Sequence, residues 1–211
     1  MKIVVCIVIA LIIFTTGSFA QEQTLLGSGQ ITHGGFGGPV VKYVQIKGEP
    51  GVLVGGRGGW IINHTFVLGG GGYGLANDIL AYTPPVPAVL GVDPYSRYIN
   101  FGYGGLEMEY IIQSDRILHF TVYTLIGAGG VSYRDEYWNG LNSIDDGNYD
   151  SPSDAFFILE PAVNIEINVI SFMRVCGGIS YRFISGVNLD NLRNKDFAGP
   201  SGVLTLKFGK F

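Results

Sequence analysis

The chain has 211 residues, with 13 Lys and Arg against 17 Asp and Glu, a formal net charge of −4. That length suits one domain, and the lack of any basic run argues against nucleic acid as a partner. Glycine is the outlier at 33 residues, beside 13 Phe, 12 Tyr and 2 Trp. The glycines have no collagen-type period of three. They punctuate β-branched and aromatic runs, which suits strands and turns, and no amphipathic helix of ordinary length is visible.

Residues 1–20, MKIVVCIVIALIIFTTGSFA, have the pattern of a secretory signal peptide: Lys2, an apolar run from Ile3 to Phe14, then Ser18-Phe19-Ala20 before the cut. A spanning anchor needs about 20 apolar residues, and Thr15 to Ser18 stop the run short. Cleavage after Ala20 leaves a lead-in at 21–38 and a barrel domain at 39–211. It also leaves Cys176 as the only thiol, so no intrachain disulfide can form. Cys176 reads as a small buried residue.

Eight strands are predicted, at 40–47, 51–63, 66–77, 97–112, 117–133, 156–169, 173–186 and 202–211. After the first hairpin, short and long connections alternate. The short ones are His64-Thr65, 113–116 and 170–172; the long ones, 78–96, 134–155 and 187–201, hold most of the Pro, Asp and Asn. Tight turns at one end and long loops at the other are the signature of an outer-membrane barrel. The sequence therefore predicts an all-β, eight-stranded antiparallel transmembrane β-barrel with both termini on the periplasmic side.

The strand faces support this. In LEPAVNIEINV (159–169), Leu159, Val163, Ile165, Ile167 and Val169 share one face, and Glu160, Asn164, Glu166 and Asn168 the other. In a barrel immersed in lipid the apolar face points outward. Outward positions then include Val52, Val54, Trp60 and Ile62, Leu106 to Ile112 by twos, Leu118, Phe120, Val122 and Ile126. Aromatic girdles follow, with Phe157, Tyr181 and Phe183 at the external end and Trp60, Tyr110, Phe120 and Phe208 at the periplasmic end. The opposite parity carries Arg57, Glu107, Glu109, Glu160, Glu166, Arg174, Arg182 and Lys207. These four acids and four bases are predicted to pair inside, because buried charge is tolerable only when matched and an eight-stranded lumen is just wide enough for side chains to fill. Pro161 sits mid-strand without an N–H, and a bulge is expected there.

The motif ISYRF (179–183) and the closing LTLKFGKF resemble small outer-membrane β-barrels of the OmpA/OmpX type. The blocks GGFGGPVVKY, GGRGGWIIN, GGGGYGLAND and LEPAVNIEINV are similar to exported barrel proteins of Gram-negative-type envelopes. The resemblance covers nearly all of 31–211 and implies a fold and an outer-membrane location rather than an activity. One departure is that the terminal Phe211 shares its face with Gly209, Lys207 and Thr205, while the apolar alternation runs through Phe208, Leu206 and Leu204.

Chemical motifs are sparse. Gly69 to Gly74 fits G-x-G-x-x-G, but no helix pattern follows, as a dinucleotide site requires. Asp146-x-Asn148-x-Asp150 copies the start of a calcium loop, yet Ser151 and Phe157 occupy its sixth and twelfth positions; it is at most a weak metal candidate. His33, His64 and His119 have no ligand spacing. No cofactor and no enzymatic activity are expected. The expected role is structural or surface-interacting, in a monomer, with outer-membrane lipid and an unknown surface ligand or envelope protein as partners. A narrow channel and a soluble exported lipocalin-like binding barrel are the alternatives. Tyr82, Tyr95, Tyr137, Trp138 and Tyr149 on the long loops are the candidate contact residues, since binding residues favour loops on a rigid scaffold.

Overall fold

A computed structural model describes residues 31–82, 95–137, 152–189 and 191–211. The expected signal peptide lies outside them. Eight long strands run β1 (His33–Ile46), β2 (Glu49–Ile62), β3 (Phe66–Leu75), β4 (Tyr95–Ile112), β5 (Leu118–Tyr137), β6 (Ser153–Ile170), β7 (Met173–Ser185) and β8 (Gly199–Lys210). Each pairs antiparallel with its sequence neighbour, and β1 pairs with β8, so the sheet closes on itself. Closure satisfies the backbone of every strand from both sides and leaves no edge. Among the described residues no helix is long and apolar enough to cross a membrane.

Turn chemistry sets the hairpins. Lys47 and Gly48 join β1 to β2 at φ of 55° and 84°, and Asn63 and His64 join β2 to β3 at 51° and 53°. Two successive positive φ values give the I′ handedness that matches strand twist. The turns at 63–65, 113–117 and 171–172 lie at the end where β1 begins and β8 finishes; the strand ends that lead into the long connections lie at the other.

β1 starts at His33, seven residues ahead of the strand expected at 40–47, so the Gly-rich stretch 33–38 is strand rather than lead-in. Glycine and Pro39 hide strand character in the sequence, but pairing with β2 along the whole stretch, and with β8 at Gly35 to Gly37, holds it extended. Pro161 also departs from expectation. Leu159 lies opposite Phe183 and Ala162 opposite Ser180, in one unbroken register, so the ladder to β7 lapses at Pro161 without a bulge. On its other side Pro161 stays paired with Thr124. The β6–β7 irregularity falls instead between Asn168 and Ile170.

The exterior is apolar. Trp60, Leu106, Tyr110, Leu118, Phe120, Val163 and Phe183 are all exposed, as are Ile179 at 70% and Tyr43 at 61%. Ile62, grouped with this face by parity, is buried at the last position of β2, where alternation gives way to the turn. Phe157, Tyr181 and Phe183 ring one end, and Trp60, Tyr110, Phe120 and Phe208 the other.

The interior is where expectation needs most correction. The half nearer the long connections is apolar rather than charged. Its centre is a stack in which Phe101 lies 5.2 Å from Phe156 and 4.9 Å from Phe197, centroid to centroid, surrounded by Leu53, Leu125, Ile158 and Val203. Two connections supply part of it. Ile79 and Ala81 fold in from the β3–β4 connection, and Val187, Leu189, Leu192 and Phe197 from the β7–β8 connection. A second apolar cluster of Phe36, Ile61, Val67 and Ile111 fills the end where β1 begins and β8 finishes, with Phe211 against it. That explains the terminal departure: Phe211 has lumen parity and stacks on Phe36 at 6.5 Å.

A charge placed on the exterior tests the assignment of faces. Val163→Arg should destabilise the barrel by about 2–4 kcal/mol, the cost of a cation near the bilayer midplane. Denaturant unfolding from lipid vesicles reads it, and a change within about 0.5 kcal/mol, as at an ordinary surface site, would place Val163 in water.

Candidate functional site

Between the two apolar clusters, inward positions of β1, β2, β4, β6, β7 and β8 carry charge. Lys42 Nζ is 2.8 Å from Glu160 Oε2 and 3.1 Å from the hydroxyl of Tyr103, which itself donates to Glu160 at 2.7 Å. Ser180 Oγ donates to the other Glu160 oxygen at 2.6 Å. The same ammonium lies 3.5 Å from the centroid of Tyr73, whose hydroxyl donates to Glu107 Oε1 at 2.6 Å. Arg57 then joins Glu107 to Glu109: Nη2 donates to Glu109 Oε2 at 2.8 Å, and Nε approaches Glu107 Oε2 at 2.6 Å as an ionic contact without a directed hydrogen bond. Lys207 Nζ bridges Glu109 and Glu166, at 2.6 Å each, and Arg174 Nη1 lies 2.9 Å from Glu166 Oε1. Cys176 Sγ and His119 Nε2 complete the shell of Glu166 at 2.9 and 3.3 Å.

The result is one continuous chain from Ser180 to Arg174, with every carboxylate held by at least one cation. All its charged residues are at most 6% exposed. Glycine makes the space. A Cβ on Gly71 would sit 2.4 Å from Glu107 Oε1 and 2.7 Å from the Tyr73 hydroxyl, so the glycine run of β3 is where these two side chains fit.

Of the eight residues singled out in the sequence, Arg57, Glu107, Glu109, Glu160, Glu166, Arg174 and Lys207 lie in this chain. Among the described residues Arg182 has no carboxylate partner. Fully buried, it donates to Phe197 O at 3.1 Å and Gln45 O at 3.2 Å, and to Ser201 Oγ, and so pins the β7–β8 connection into the barrel mouth. The cation opposite Glu160 is Lys42, which the sequence did not reveal: its face reads Val40, Lys42, Val44, Ile46, more apolar than the face of Val41, Tyr43 and Gln45. The interior thus holds five bases against four acids.

The remaining candidates are dispersed. Gly69 to Gly74 pair on both sides within β3, and among the described residues that follow, up to Tyr82, there is no helix. His33 stacks on Trp60 at 5.5 Å, and His64 sits in a turn. Among the described residues no group of His, Cys, Asp and Glu could hold a metal ion. Tyr82, Tyr95 and Tyr137 fall at strand ends, their side chains outside the described set, while Trp138, Tyr149, Asp146, Asn148 and Asp150 lie outside the described residues altogether.

Among the described residues the exterior carries no charge between the rims while the interior holds the ion-pair chain, which inverts the arrangement of a soluble barrel and defines a transmembrane β-barrel of the outer-membrane type. Neither family models nor curated protein sequences match the chain. Among solved structures it is similar to Ail, the attachment invasion locus protein of Yersinia pestis (12% identity, TM-score 0.46, covering 84% of this chain and 97% of that one). It is also similar to Neisserial surface protein A (12%, 0.45, 87% and 100%) and to CarO2 of Acinetobacter baumannii (14%, 0.40, 86% and 100%). At these values the similarity says nothing of activity or ligand.

Glu160→Leu leaves Lys42 buried without its carboxylate and should cost about 3–5 kcal/mol. Adding Lys42→Met should recover much of that loss, because the cycle removes both charges. Equilibrium unfolding of the two single variants and the double variant reads the coupling; strictly additive losses would show that the pair does not interact.

Proposed function

We propose that this is a non-enzymatic, non-conducting outer-membrane barrel, a monomer whose work is structural or interactive and is done at its external rim. The observation that carries this reading is the filled lumen. From the external end inward, a path for ions meets the Phe197–Phe101–Phe156 stack, then the ion-pair chain, then Phe36, Ile61 and Phe211. An eight-stranded barrel has room for side chains or one small ligand, and here the side chains take it.

In this reading the carboxylates are structural. Glu107 and Glu109 are each committed to Arg57, and Glu160 and Glu166 to lysine, so none is left to abstract or deliver a proton. The partners are outer-membrane lipid around the belt and a surface ligand or envelope protein at the rim, met through the connections at 78–96 and 134–155. The eight strands supply the rigid base that such loops need.

Planar-bilayer recording of the purified protein is the decisive measurement. The expected trace has no steady conductance across the voltage range, and shortening the 134–155 connection is expected to abolish adhesion to cells or matrix while leaving the barrel folded. A steady, ion-selective conductance would overturn this in favour of a narrow channel.

A further inference from the structure

The barrel exterior carries a groove that folding does not demand. Gly202 of β8 lies directly between Tyr43 of β1 and Ile179 of β7, the two flanking side chains noted above as strongly exposed. With no side chain at Gly202 they stand as walls over a furrow of about 350 Å³, lined also by Gln45 and Pro200. Leu204, next outward on β8, is exposed below it, and Gly177, opposite Leu204, widens the lower end.

Most glycines of this barrel have a steric reason. A Cβ on Gly38 would run into Leu206 O, and one on Gly209 into Gly35 O. At Gly202 and Gly177 a Cβ meets nothing within 4 Å, and neither has positive φ. The backbone would accept a larger side chain at either position. Their smallness leaves space on the lipid-facing wall.

The groove has a direction. Its lower part is hydrocarbon, between Tyr43, Ile179 and Leu204. Its upper end is polar, at the exposed Gln45. Above Gln45 the short turn Asn194–Asp196 is tied to the top of β1, because Lys47 N–H donates to Asp196 O at 2.6 Å. That turn presents Lys195, exposed and without an ion-pair partner among the described residues, next to Arg193, whose Nη1 rests on neutral oxygens of Asn188, Leu189 and Leu192. A furrow of hydrocarbon in the membrane belt, topped by cations at the external interface, has the polarity of an anionic lipid of the outer leaflet.

We propose that this β1–β8–β7 groove is a binding site for one phosphorylated acyl lipid, with a chain lying over Gly202 between Tyr43 and Ile179 and the phosphate at Lys195. A cation at a membrane surface attracts such a headgroup, and the apolar wall gains by covering the chain. The site lies on the outer wall, so it is independent of whether the lumen conducts.

Native mass spectrometry of the detergent-purified protein, incubated with phosphatidylglycerol or with an uncharged diacylglycerol of the same chains, tests it. One phosphatidylglycerol should remain bound per barrel. Gly202→Leu fills the furrow at a position with open space, so it should fold, which its heat-dependent gel mobility would check. It should weaken retention about tenfold, the worth of roughly two excluded methylene groups. Lys195→Gln should weaken phosphatidylglycerol about fivefold, the worth of one basic residue at a membrane surface, and leave diacylglycerol unchanged. Retention indifferent to Gly202→Leu, or equal for the two lipids in the parent protein, would overturn the proposal and leave only unselective annular lipid.

Discussion

The pairing of β1 with β8 is the constraint on which the rest of this protein depends. In hydrocarbon an unpaired N–H or C=O has no water to fall back on, so a sheet survives there only if it closes. Eight strands close at a small radius, which leaves an interior of side-chain dimensions. That interior must then be filled from the chain itself. Aromatic rings stacked on Phe101 fill the external half, and paired charges fill the middle. Even the two proline interruptions conform, since the ladder lapses at Pro39 and Pro161 but keeps its register on both sides.

Why charge fills the middle is a question of specificity more than of stability. Buried ion pairs return little beyond their desolvation cost, and a layer of leucines would pack as well. The glycine-rich strands suggest what the charges contribute. From Gly55 to Gly59 the only large side chain is Arg57, and from Gly69 to Gly72 of β3 there is none. Flat, side-chain-poor strands specify register weakly, and a slip of one residue sends every side chain to the opposite face. For Arg57 that slip would move a guanidinium from between Glu107 and Glu109 into lipid. Lys207 makes a similar demand on β8, because it must reach both Glu109 and Glu166 across the lumen. The ion-pair chain thus penalises wrong registers in the strands whose own packing says least.

The same physics decides what could be read from the sequence. Strand number, the alternation of turns and loops, and the outward faces of β4 to β8 are visible because period-two alternation is strong there. Seven of the eight charges in the ion-pair chain have a lumen parity legible in the sequence, because on β4, β6, β7 and β8 charge alternates cleanly with apolar residues and on β2 Arg57 stands alone among glycines. The failures share a cause. Lys42 was invisible because its neighbours Val40, Val44 and Ile46 belong to the apolar half of the lumen, so hydropathy cannot tell inside from outside on β1. Arg182 looks like another ion-pair member because parity reports a face, not a partner, and its partners are the Phe197 carbonyl of the β7–β8 connection, the Gln45 carbonyl of β1 and the Ser201 hydroxyl of β8. That connection, with its Asn, Asp and Gly, reads as a solvent loop; only the burial of Leu192 and Phe197 identifies it as a plug.

The plug also bears on where function can reside. A barrel that carried a solute would keep its mouth open, or close it with a segment free to leave. Here the connection is held by three independent means: the Phe197 ring stacked on Phe101, the Phe197 carbonyl taken by Arg182, and Asp196 O accepting from Lys47 at the first hairpin. Releasing it would strip a fully buried guanidinium of a hydrogen bond and open the aromatic stack to water, two costs that reinforce each other. Among the described residues nothing offsets them, because the cations below are already committed to their carboxylates. If the interior is closed in this way, the proposed partner surface is the external rim, and the proposed lipid site lies where the wall, at Gly202, leaves a side chain out.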